Sequence, residues 1–244
     1  MRIAINGLGR IGKLVFRHLI DKKLHKKLIL INEKNGSVSE NTHLIKYDSI
    51  HGMWDKNVEI EANEIKFKNK KIKFYNSRTI ENIPLRKNKI DLVIDCTGSF
   101  KKFDNISQYF KEGVKKVLIS APVHDYRALN LVYGINSYLL KNSDLDIITG
   151  ASCTTNCLAP IIKVIEENLG IIRGSITTIH NSTNSQTILD NPGTDIRRSR
   201  SAFNSLIPTS TGSARAISLI YPNLKSKLDG YAVRVPVLNS SLTD

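Results

Sequence analysis

The chain holds only three cysteines, Cys96, Cys153 and Cys157, in 244 residues. So few, and an odd number, cannot form the paired framework of a small secreted domain. No apolar stretch reaches membrane-spanning length and no apolar leader opens the sequence, so a reducing cytoplasm is the expected compartment and no membrane partner is expected. There is no internal repeat, which excludes a solenoid, and no Pro/Ser-rich linker, which excludes tethered modules. Cys153 and Cys157 lack third and fourth ligands at zinc-like spacing, so no metal is expected. Acidic residues are outnumbered, 22 against 36 Lys and Arg, giving a net charge of +14 and a pI near 9.7. That balance raises nucleic acid as a partner. The lysines are nevertheless scattered, as in Lys68 to Lys73 and Lys115-Lys116, without interleaved aromatics. Weak salt-sensitive binding is expected, and no specific nucleic-acid function.

The glycines present are placed with purpose. A short apolar run, Ile3-Ala4-Ile5, enters Gly7, Gly9 and Gly12 at G-x-G-x-x-G spacing, and a helical pattern follows from Lys13 to Ile20. The first glycine permits a tight turn, the second lets a pyrophosphate approach the backbone, and the third lets helix and strand pack closely. A second apolar strand, Leu28 to Ile31, ends at Asn32-Glu33. Glu33 stands about twenty residues past the last glycine, where an acid takes the adenine-ribose hydroxyls and repels a 2′-phosphate. NAD is therefore expected over NADP. Residues 43–75 look like an excursion with short strands at 58–60 and 65–67. Strands Asp91 to Cys96 and Lys116 to Ile119 then deliver Thr97 and Ser120 to the ligand edge of a doubly wound parallel sheet.

The second half carries a nucleophile. Ala151-Ser152-Cys153-Thr154-Thr155-Asn156-Cys157 follows a strand-like run and opens a helix whose apolar spacing runs from Leu158 to Leu169. A thiol in a first helical turn meets unpaired backbone N–H groups and the positive end of the dipole, and both favour thiolate. Cys96 ends an apolar strand and reads as core. The β-branched run Ile176 to Ile179 ends on His180, a candidate imidazole partner for the thiol. A polar loop over Asn181–Thr194 leads to Asp195-Ile196-Arg197-Arg198-Ser199-Arg200 and to the turn from Pro208 to Ser213; arginines beside hydroxyl-rich turns suit phosphate oxygens.

Ile5 through Gly12, Ala151 through Pro160, Ile207 to Gly212 and Val233-Arg234-Val235-Pro236 resemble phosphorylating glyceraldehyde-3-phosphate dehydrogenases, and the resemblance runs from Met1 to Asp244. It implies a Rossmann-type α/β domain over 1–150 and an incomplete α+β catalytic domain over 151–244. It implies that Cys153 attacks the aldehyde and that His180 moves the proton. Hydride then passes to NAD, and inorganic phosphate releases an acyl phosphate from the thioester. Thr183 and Arg234 match positions holding the substrate phosphate. Arg200, Thr211 and Gly212 match the second anion site, and Ser152 and Thr154 flank the nucleophile. Gly7, Gly9, Arg10, Ile11, Gly12, Glu33, Thr97 and Ser120 match cofactor positions. The loop over 181–198 implies a homotetramer in the intact protein.

The sequence departs from the family's pattern in places. Glu33 and Ser185 stand where members commonly carry Asp. These, with the closing residues Asn239 to Asp244, are similar to a branch in which arsenate replaces phosphate, so both anions stay open. Aspartate-semialdehyde enzymes lack the Cys-Thr-Thr-Asn-Cys segment, and Thr211-Gly212 argues against erythrose-phosphate enzymes. The chain stops about a quarter short of the family's usual extent, within a strand-like segment. A fragment of a longer product, with an unpaired sheet edge and little activity, is expected.

Overall fold

Short apolar runs alternating with helical ones build the first of two units, Met1–Leu131 with Leu139–Gly150. The computed structural model describes residues 1–193 and 195–244, without the side chains of residues 213–215. Thr194, which closes the predicted polar loop, and the side chain of Ser213, which closes the predicted turn, lie outside the described residues.

In chain order the first unit runs β1 (Ile3–Asn6), α1 (Arg10–Asp21), β2 (Leu28–Asn32), α2 (Val38–Lys46), β3 (Tyr47–Asp48), β4 (Gly52–Met53), β5 (Glu59–Glu61), β6 (Glu64–Phe67) and β7 (Lys70–Tyr75). It continues with β8 (Leu92–Asp95), α3 (Phe103–Lys111), β9 (Lys116–Ile119), β10 (Ala128–Asn130) and β11 (Ile147–Thr149). The main sheet has the order β10-β11-β9-β8-β1-β2-β7-β6-β5. It is parallel from β10 to β7, with β6 and β5 added antiparallel. Strand order reverses between β1 and β8, so the ligand crevice of a doubly wound sheet opens beyond Asn6 and Asp95.

Every residue of β1 and β2 is buried, as a parallel sheet covered on both faces requires. Ile3 and Ile5 enter one apolar cluster with Phe16, Leu28 and Phe74; Ala4 enters the other with Leu30, Val93 and Val117. Each Ile, Leu, Val or Phe among them contributes about 1.5–3 kcal/mol on burial.

Two elements differ from the sequence reading. Residues 70–75 form β7, which pairs parallel with β2 (Ile31 opposite Phe74). Its lysines mask the pattern, while Ile72 and Phe74 alone are buried. Helix α2 replaces the start of the expected excursion. Ser37 Oγ accepts from the Glu40 amide at 3.2 Å and Glu40 Oε2 accepts from the Ser37 amide at 2.7 Å, a capping box that fixes its start.

The second unit, Val132–Tyr138 with Ala151–Asp244, contains α4 (Cys153–Asn168), β12 (Gly174–Asn181), β13 (Ile207–Ser210), α5 (Ser213–Ile220), β14 (Leu228–Val235) and β15 (Ser241–Thr243). Its sheet has the order β13-β14-β12-β15, with β12 and β14 parallel and the outer strands antiparallel. Leu158, Ala159 and Ile162 of α4 pack with Ile176 of β12, Ile217 of α5 and Val132. That contact seats the start of α4 beside the end of β12.

A Cβ on Gly12 would lie 1.9 Å from the Gly7 carbonyl oxygen, whereas one on Gly9 meets nothing within 4 Å. Gly12→Ala is therefore expected to cost about 1–3 kcal/mol in guanidinium unfolding, and Gly9→Ala close to nothing. Equal losses at the two positions would contradict this packing.

Candidate active site

In the first unit the glycine loop joins β1 to α1. Gly7 has φ +94°, and a Cβ there would come within 2.8 Å of the Thr97 amide nitrogen. Only glycine gives both the left-handed turn and this approach. Gly9 starts α1 without a side-chain cap, no acid stands in the first turn, and the space beside it is open. A helix start of that kind suits a pyrophosphate. Arg10 and Ile11 form the first turn, and Ile11 is exposed. Glu33 sits just past β2, where Oε2 accepts from the Leu8 amide at 2.7 Å and Oε1 from the Asn35 amide at 3.0 Å. Its carboxylate is thus tied to the glycine loop, at the place where the sequence put a ribose-binding acid.

A buried polar chain supports the same edge. Asn32 Nδ2 donates to Asn6 Oδ1 (2.8 Å), Asn6 Nδ2 donates to Tyr109 Oη (2.6 Å), and Tyr109 donates to Asp95 Oδ2 (2.7 Å). Asp95 Oδ1 accepts from the amide and the hydroxyl of Thr97, at 2.9 and 2.7 Å. Burial raises the Asp95 carboxyl and holds the Tyr109 phenol well above its ordinary value. The sequence reading did not single out Asn6, Tyr109 or Asp95, since a lone phenol in a helix carries no motif. Ser120 follows β9, with its amide on the Asp95 carbonyl at 2.9 Å. Burial pushes the neighbouring Cys96 thiol up to about 12, which makes it an inert core residue.

In the second unit Ser152 caps α4, its Oγ accepting from the Thr155 amide at 3.1 Å. Ala151 just before it is held at φ +53°, a left-handed conformation that non-glycine residues seldom take. This bend sets Cys153 as the first helical residue, with Sγ 3.3 Å from His180 Nε2 and 3.9 Å from Thr154 Oγ1. The hydrogen bond from His180 lowers the thiol to about 7, against burial, which pushes it up; the charge of His180 and the bonds from Thr154 assist. Thiol and imidazole, 27 residues apart, are therefore in contact. Cys157 is exposed, one turn further along α4.

Arg234 of β14 pairs in register with His180 of β12. Its Nη1 reaches His180 Nδ1 and the Asn181 carbonyl oxygen, the latter at 3.1 Å. Its Nε is buried and has no partner among the described residues. Burial and the nearby charge of Arg198 lower its pKa. A desolvated guanidinium with a spare donor suits an anion. Thr183 Oγ1 lies 2.9 Å from Ser185 Oγ and donates to Gln186 Oε1 at 3.1 Å, so Ser185 sits against a predicted phosphate ligand. Thr211 and Gly212 join β13 to the start of α5.

Arg200 pairs with Asp190 Oδ2 at 2.5 Å and is mostly exposed. Arg198 instead lies along β13, with Nε donating to Thr209 Oγ1 at 2.8 Å. The resemblance assigns the second anion site to Arg200 and gives Arg198 no role. Two arginines two residues apart in one loop look alike until the loop's course is known.

Comparison with known proteins agrees with both halves of this arrangement. The family described as "Glyceraldehyde 3-phosphate dehydrogenase, NAD binding domain" matches residues 1–103, and "Glyceraldehyde 3-phosphate dehydrogenase, C-terminal domain" matches residues 152–244. The chain belongs to the glyceraldehyde-3-phosphate dehydrogenase family. It is 48% identical over its whole length to glyceraldehyde-3-phosphate dehydrogenase 3 of Nostoc sp., covering 72% of that protein. It is 44% identical to the enzyme of Zymomonas mobilis and to glyceraldehyde-3-phosphate dehydrogenase 2 of Bacillus subtilis, covering 72% and 71% of them. NAD is the cofactor, and the open space at Gly9 with the uncapped start of α1 fits it. Among the described residues no cluster of three or more His, Cys, Asp or Glu is placed to hold a metal, and no helix is long and apolar enough to cross a membrane.

Alkylation of Cys153 by iodoacetamide is expected to rise with pH through a midpoint near 7. His180→Asn removes the hydrogen bond that favours thiolate, so the midpoint moves up and the rate at pH 7 falls at least about tenfold. An unchanged profile in the variant would remove His180 from the pair.

Proposed function

We propose that the protein oxidises D-glyceraldehyde 3-phosphate with NAD and inorganic phosphate to 1,3-bisphosphoglycerate, through a thioester on Cys153. The observation that carries this reading is the Cys153–His180 contact of 3.3 Å at the start of α4. A thiolate favoured by that contact adds to the aldehyde carbon, and the resulting oxyanion takes a proton to give a hemithioacetal. His180 Nε2 then receives the hydroxyl proton as the C–H bond is broken, which leaves the acyl group on sulfur. NAD, when bound, supplies the acceptor for the hydride. Inorganic phosphate attacks the thioester carbonyl, forms the acyl phosphate and returns Cys153 as thiolate.

We assign cofactor binding to the domain over 1–150 and the chemistry to the domain over 151–244. Gly7, Gly9, Arg10, Ile11 and Gly12 would hold the pyrophosphate, Glu33 the adenine ribose, and Thr97 and Ser120 the nicotinamide side. Thr183 and Arg234 would hold the substrate phosphate. The attacking phosphate would use Thr211, Gly212 and an arginine of the 195–200 segment, for which Arg198 has the better support because its charge is felt at Arg234. Ser152 and Thr154 would border the reacting carbon.

We further propose a homotetramer in the cytoplasm. Ile188, Leu189, Ile196, Phe203 and Leu206 are exposed in one segment of the second unit, and a neighbouring subunit would cover them.

A single-turnover burst of NADH, with aldehyde, NAD and phosphate in excess, tests the chemistry without requiring fast turnover. Cys153→Ser should lose the burst by about a thousandfold or more, since a hydroxyl there has no comparable anion at neutral pH. A burst of undiminished size in that variant would refute the reading.

A further inference from the structure

His180 Nδ1 has two partners that cannot both be satisfied. The Asn181 carbonyl oxygen lies 2.8 Å from it, a contact that requires a proton on Nδ1. Arg234 Nη1 also lies on Nδ1, and a guanidinium only donates, so this contact requires a lone pair there. A ring nitrogen carries one or the other. The partner of one imidazole nitrogen decides what the other nitrogen presents. Here that other nitrogen, Nε2, faces the Cys153 sulfur at 3.3 Å.

We propose that Arg234 is a tautomer switch for His180, holding Nε2–H against the Cys153 thiolate in the free protein and releasing Nε2 as a base when an anion draws the guanidinium away. The proposal rests on the reading above in one respect, that Arg234 is a ligand of the substrate phosphate. With Arg234 on Nδ1, the neutral imidazole donates from Nε2 to sulfur and the nucleophile stands ready. The buried Arg234 Nε, which has no partner among the described residues, gives an anionic oxygen a donor to recruit. Once the guanidinium turns to the anion, the proton on Nε2 leaves through solvent and Nδ1 takes one up. Nδ1–H then donates to the Asn181 carbonyl, and Nε2 holds a lone pair. Charge is unchanged, since one proton moves between two nitrogens of the same ring.

The order suits the chemistry. In the free protein Nε2–H holds the sulfur as thiolate. The substrate's phosphate arrives with its aldehyde, so the proton has left Nε2 by the time sulfur adds to the carbon. Nε2 then stands as the base that takes the hydroxyl proton when the hemithioacetal is oxidised. Arg234 is in this sense a positioning residue for His180 as well as an anion ligand.

The groups that face this pair are Cys153 and Thr154 from α4, Asn181 beside His180 on β12, Arg234 from β14, and Arg198 from the loop before β13. No carboxylate forms an ion pair with Arg234 or His180 among the described residues. An added anion therefore has no protein carboxylate to displace.

Nitrogen-15 NMR of histidine-labelled protein reads the tautomer directly, with the His180→Asn variant identifying the resonances. At pH 8, without NAD or aldehyde, the wild-type protein should show the unprotonated nitrogen at δ1. Saturation with inorganic phosphate should invert it to ε2. Arg234→Leu should show ε2 unprotonated with and without phosphate, and Arg234→Lys should restore part of the response. The phosphate titration of the wild type stands by itself if a variant fails to fold. The same tautomer with and without phosphate in the wild type would overturn the switch, as would a wild-type response in Arg234→Leu. Neither result touches the NADH burst, which tests the thioester chemistry separately.

Discussion

A sulfur atom 3.3 Å from an imidazole nitrogen, at the start of a helix, is the contact on which the proposed chemistry depends. Several features of the second unit are arranged around it. Ala151 accepts a strained backbone to aim the helix, Ser152 caps the turn, and the apolar residues of α4 lock it against β12. The parallel pairing of β12 with β14 then brings Arg234 level with His180. A guanidinium is costly to bury, and on the proposed reading it is kept there to hold an anion.

The first unit solves a different problem, which is to present backbone N–H groups to a charged ligand without burying them unpaired. Glycines make this possible at Gly7 and Gly12, where a side chain would strike backbone. Beneath them, Asn32, Asn6, Tyr109 and Asp95 tie β2, β1, α3 and β8 together by hydrogen bonds at the end of the sheet where the strand order reverses. Such a network is fully paired and rigid, and it fixes Thr97 through two bonds to one carboxylate oxygen.

Much of this was legible in the sequence, for physical reasons. The glycine loop can be read because only glycine tolerates its turn and contacts. Cys153 can be read because a strand-like run before it and apolar helical spacing after it place it in a first turn. Strand β7 was hidden because its lysines outnumber its two buried residues, Ile72 and Phe74, although the capping box that starts α2 was there to be found. Arg198 lies along β13 and Arg200 pairs with Asp190, a difference that loop direction, and not residue type, decides. The contact of Arg234 with His180, 54 residues away, follows from strand pairing that no local pattern encodes.

The most direct measurement of the central claim is the mass of the protein after brief exposure to NAD and D-glyceraldehyde 3-phosphate in phosphate-free buffer. An acyl adduct on Cys153, discharged when inorganic phosphate is added, is the predicted result. An unmodified Cys153, or an adduct confined to Cys157, would contradict it.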